Sequence, residues 1–183
     1  MRRRAPAGAE PLSPRRKWRA IMLATLLLLP GYWSLLIGLV SVASEEENAP
    51  PPGPYIAFGL MLVPFVFIAL AFLSQHPRAP GAVVRAMALC LLVGIPVSAL
   101  SNDAVTGLVA GIGAGGVAAL RADLAHNWRA RALAVAAATV YAFVLVRVAP
   151  DIALLLTPVL PFTVIGVADH LSERRGERRP AGG

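Results

Sequence analysis

The chain has 183 residues, 57% of them hydrophobic, and its 17 Lys or Arg against 10 Asp or Glu give a formal net charge of +7. With its apolar runs placed in lipid, too little chain remains for a soluble domain of ordinary size. The basic excess flanks those runs, where it orients the chain and attracts anionic lipid headgroups, so nucleic acid is not an expected partner.

Residues 1–17 form a basic stretch, Pro- and Ala-rich as far as Pro14, and read as a disordered tail. A charge-poor run from Ala20 to Ala43 follows. It is longer than a signal-peptide core, so it reads as an uncleaved first span. Within it, Pro30 and Gly31 predict an interruption near mid-bilayer, beside Tyr32, Trp33 and Ser34. The connection Ser44 to Pro54 carries Glu45, Glu46 and Glu47 and a proline cluster, a stiff acidic spacer.

Further apolar runs extend over Pro54 to Leu73, Gly81 to Leu100, Ala104 to Leu120, Ala132 to Val146 and Ile152 to Ala168. A bilayer core of about 30 Å takes about 20 helical residues, and the shorter runs reach this with interfacial residues added. The turns Ser101-Asn102-Asp103 and Ala149-Pro150-Asp151 each place an Asp where it would cap the helix that follows. The expected fold is all-α, a bundle of six transmembrane helices in three hairpins over residues 18–171, with a second basic tail over 172–183.

Six spans sort the charges. Sixteen of the 17 basic residues fall on one face and Arg147 alone on the other, so the positive-inside rule puts both termini in the cytoplasm. The location expected is a plasma (inner) membrane, and the Arg-, Ala-, Gly- and Pro-rich composition points to a GC-rich bacterial genome. The single Cys90 lies in the third span, which excludes an intramolecular disulfide.

Three groups of residues are functional candidates. In the fourth span Gly107, Gly111 and Gly115 recur every four residues and make one side nearly flat, a helix-packing face within the bundle or toward a second copy. The G-x-G-x-x-G at Gly111, Gly113 and Gly116 follows no strand and is not a nucleotide loop.

A second group, Tyr32, Trp33, Ser34, Tyr141, Thr157 and Thr163, would line a mid-bilayer pocket for a neutral ligand if the proline-bearing first and sixth spans meet. Prolines that merely kink their helices are the simpler reading. A third group, His76, His126 and His170 with Asp123 and Asp169, supplies zinc-type ligands at the cytoplasmic ends of even-numbered spans. Helix ends at the interface favour such residues anyway and no local ligand motif joins them, so no metal or other cofactor is expected.

Nucleophile-elbow, zincin and Walker sequences are absent, so the chain is not expected to be an enzyme. The expected role is that of a non-catalytic accessory subunit, alone as a homo-oligomer or joined to a membrane-protein partner.

Overall fold

The computed structural model describes residues 13–44, 48–120, 128–149 and 160–177. Among them are six helices and no strand: α1 (Pro14–Ala43), α2 (Pro52–Leu73), α3 (Ala79–Ser101), α4 (Ala104–Ala119), α5 (Trp128–Val148) and α6 (Leu160–Glu177). Of these, α1, α2 and α3 are long and apolar enough to cross a membrane, which points to a membrane location.

Proline and polar residues set the boundaries. Prolines stand in the first turn of α1, α2 and α3, where the missing N–H has no helical partner to lose. At the end of α2, Gln75 takes φ 52° and the His76 amide returns to the Ala71 carbonyl at 2.8 Å. At the end of α3, Asn102 takes φ 51°. Asp103 then caps α4 as expected, accepting from the Val105 and Thr106 amides at 3.0 and 3.1 Å and from the Thr106 hydroxyl. Asp151 lies outside the described residues.

Two boundaries differ from expectation. α1 begins at Pro14, so Arg15, Arg16 and Lys17 belong to its first turn, and α6 continues to Glu177. The interruption expected at Pro30 does not occur, because α1 is continuous from Pro14 to Ala43. A proline removes one hydrogen bond and crowds one carbonyl, and the bonds on either side hold the helix together. Pro64 and Pro96 likewise sit inside continuous helices.

The tightest pairs are α3 with α4 and α1 with α2. α4 is the spine: it also touches α2, α5 and α6, and its residues from Val109 to Ala119 are all buried. At 16 residues it extends about 24 Å, short of a full span, and its small side chains let four helices close around it. α5 lies on α4 and, more lightly, on α6. The first two expected hairpins are therefore close-packed, whereas the helices of the third meet over a smaller area. α1 touches α6, bringing the first and last helices together.

Candidate functional site

The α1–α6 crossing is built from two short runs of side chains. Lys17, Trp18 and Ile21 are spaced i, i+1, i+4 on α1, and Ile165, Gly166 and Asp169 repeat that spacing on α6. Gly166 sets the approach: a Cβ there would stand 2.7 Å from Ile21 Cδ1 and 3.2 Å from Trp18 Cη2. With no side chain in the way, Trp18 and Ile21 close over α6, and Ile165 enters the core beside Ile21.

One turn further toward the end of the bundle, Lys17 Nζ meets Asp169 Oδ2 in a direct ion pair. Lys17 is 2% and Asp169 0% exposed. Each charge is removed from water and has its opposite as partner, so losing either would strand the other at a cost of about 3–5 kcal/mol.

Sequence reasoning placed Lys17 in the tail and Asp169 among weak metal ligands. The signal available was a lone Lys and a lone Asp at corresponding ends of the first and last apolar runs.

The same end carries a polar layer. Arg16 Nη1 donates to Gln75 Oε1 at 3.0 Å, tying α1 to the α2–α3 turn, and the Arg78 amide donates to His76 Nδ1 at 3.1 Å. Ser74 is fully buried beneath that turn. No three His, Cys, Asp or Glu side chains gather as a metal site among the described residues. His126 and Asp123 lie outside them.

The glycine row faces inward. A Cβ on Gly111 would stand 2.5 Å from the Cys90 carbonyl oxygen and one on Gly107 would stand 2.6 Å from the Gly94 carbonyl oxygen. One on Gly115 would run into the Phe67 ring and lie 2.8 Å from the Ala86 carbonyl oxygen. The partner surface is a matching row on α3, Ala86, Cys90, Gly94 and Ser98, also at four-residue spacing and running antiparallel to α4. The flat face of α4 is therefore covered by α3 and Phe67 of the same chain. α1 and α2 repeat the device, with a Cβ on Gly59 falling 2.7 Å from the Gly31 carbonyl oxygen.

Five of the six residues expected to line one pocket are described, and they have different surroundings. Tyr32 is buried in the core and Trp33 faces outward from the next position at 42% exposure, the two rings edge-on at 6.3 Å. Ser34 donates to the Tyr55 carbonyl at 2.8 Å, which commits its hydroxyl to the α1–α2 seam. Tyr141 is on an exposed side of α5, Thr163 is half-buried in α6, and Thr157 lies outside the described residues.

Trp33 does line a cleft of about 470 Å³, nearer the far end of α1, with Leu36, Ile37, Val40, Ser41 and residues of the following connection. Its walls are apolar. Ser41 turns its hydroxyl back to the Ile37 carbonyl at 2.8 Å.

No protein-family model, curated protein or solved structure matches this chain.

Proposed function

We propose that the protein is a six-span, non-catalytic accessory subunit of a plasma-membrane complex. The observation that carries this reading is the closure of the bundle on itself. The small-residue faces of α3 and α4 are spent on each other, and the charges of Lys17 and Asp169 neutralise one another. What remains outward is apolar helix surface, for lipid or a membrane partner to cover. α3 is one example, with Val84, Leu92 and Ile95 each between 64% and 69% exposed and only three of its residues buried.

The ion pair also supports the topology. Lys17 stands in the first turn of α1 and Asp169 in the second half of α6, so their contact requires these two segments at one level of the bundle. An even number of crossings between them satisfies this, and the basic residues then mark that side as cytoplasmic.

Native mass spectrometry of protein gently extracted from its host membrane tests the subunit reading. Co-purification of a second polypeptide in fixed ratio, lost on Leu92→Arg, is the expected result. A lone chain in every mild detergent would overturn it. Labelling single cysteines at Ser13 and Ser172 in intact cells tests orientation: both should be protected from membrane-impermeant reagents.

A second reading, a module that binds a neutral solute, is favoured by the Trp33 cleft, whose volume suits a small organic ligand. It predicts ligand-induced thermal stabilisation that disappears in Trp33→Ala. Equal stabilisation of both proteins would reject that cleft.

A further inference from the structure

The basic end of the bundle carries more cation than its own groups balance, and the imbalance is focused at one contact. Arg16 belongs to the first turn of α1 and Arg78 is the N-cap residue of α3. The Arg16–Gln75 hydrogen bond brings α1 onto the turn that contains Gln75 and ends at Arg78, so the two arginines belong to one helix–turn contact.

Neither helix start suits a cation. The partial positive charge at a helix N-terminus favours acids, yet neither first turn contains one, and no side chain caps either end. Among the described side chains at this end, the carboxylate is Asp169, which is buried against Lys17. Arg16 meets an amide oxygen at 3.0 Å, a neutral acceptor that fixes its position and leaves its charge uncompensated. Arg78 and Arg16 are both exposed.

We infer that Arg16, anchored by Gln75, and Arg78, at the end of the same turn, form a binding site for the phosphate of an anionic lipid headgroup. The guanidinium fork matches two phosphate oxygens, and its delocalised charge is held at the interface rather than in bulk water. Lipid phosphate is favoured over soluble phosphate because the turn directly follows an apolar helix long enough to span the bilayer, so a headgroup lies at its level. The inference deepens the reading of this face as cytoplasmic, and it depends on the Gln75 anchor rather than on the face being basic in general.

The test uses the full chain in mild detergent, with phosphatidylglycerol or phosphatidylcholine added and retention read by native mass spectrometry. Wild type should retain phosphatidylglycerol preferentially. The double variant Arg16→Gln/Arg78→Gln should lose most of that preference, since both charged donors to the phosphate are removed.

Arg15→Gln/Arg19→Gln removes the same charge from the same end while leaving the Arg16–Gln75 bond in place, and should stay close to wild type. Gln75→Ala changes no charge and should weaken retention severalfold, because Arg16 loses its anchor. Equal losses in the two double variants, or equal retention of the two lipids, would overturn the site. Displacement of phosphatidylglycerol by excess inorganic phosphate would overturn the lipid assignment in favour of a soluble source. Circular-dichroism melting of each variant confirms that the fold is intact. Detergent exposes both faces, so a wrong orientation would show in the cysteine labelling and leave this result unchanged.

Discussion

The α3–α4 seam and the α1–α6 crossing hold helices together by opposite means. Along α3–α4 nothing polar bridges the Gly94 and Gly111 backbones; small side chains let the two helices approach until one carbonyl nearly touches the other helix. At α1–α6, one glycine admits two bulky side chains and a buried ion pair sits beside them. In lipid, apolar surface gains nothing by leaving the solvent, so association must come from close packing or from polar groups that lipid cannot satisfy. The first means is spread along a whole helix. The second is concentrated in two atoms.

The comparison predicts different responses to mutation. Gly111→Leu should have the largest effect, since even its Cβ would stand 2.5 Å from a backbone carbonyl that cannot move without shifting α3. Destabilisation above about 4 kcal/mol is expected, seen as loss of monodisperse protein on size exclusion. A monodisperse Gly111→Leu protein with an unchanged melting temperature would show that the seam is looser than described.

Next in size is the ion pair. Lys17→Met should cost about 3–5 kcal/mol by leaving Asp169 buried without its partner, while Lys17→Met/Asp169→Leu should recover most of that loss. Thermal unfolding in detergent measures both. A double variant as unstable as the single would mean that the crossing needs the charges themselves.

These two seams were unequally legible in the sequence. The four-residue recurrence of Gly107, Gly111 and Gly115 marks a close-packing face from composition alone. Its partner on α3 was hidden because Ala86, Cys90, Gly94 and Ser98 share only smallness, in four different chemistries. Lys17 and Asp169 are 152 residues apart, and no local pattern reports a contact at that separation. Membrane class followed from hydropathy and the Asp103 cap from turn chemistry, both local properties. Tyr32, Trp33 and Ser34 have different surroundings for a geometric reason: successive residues on a helix point about 100° apart, and α1 remains helical through them.

A smaller effect is expected at the head of the spine. Asp103 satisfies two amides of α4 and its Thr106 hydroxyl. Asp103→Ala should therefore cost about 1 kcal/mol, and Asp103→Asn, a comparable N-cap, less. Hydrogen exchange should rise first in the opening turn of α4 if the cap acts locally. Exchange rising uniformly along α4 would instead make the cap part of the α3–α4 seam.

Gly81 separates seam glycines from the rest at the lower limit of effect. It lies in the first turn of α3, where an added Cβ would meet nothing within 4 Å, whereas a Cβ on Gly94 in the same helix would stand 3.0 Å from the Gly107 carbonyl oxygen. Alanine at position 81 removes backbone freedom from the unfolded chain without a clash and should stabilise by about 0.4–1 kcal/mol. The same change at Gly94 gives the same entropic gain and sets it against a backbone that must shift by a few tenths of an ångström. Melting temperatures of Gly81→Ala and Gly94→Ala should consequently move in opposite directions. If both rise, the α3–α4 seam has slack that the Gly94 geometry denies, and close approach is a weaker bond between these helices than the ion pair is between α1 and α6.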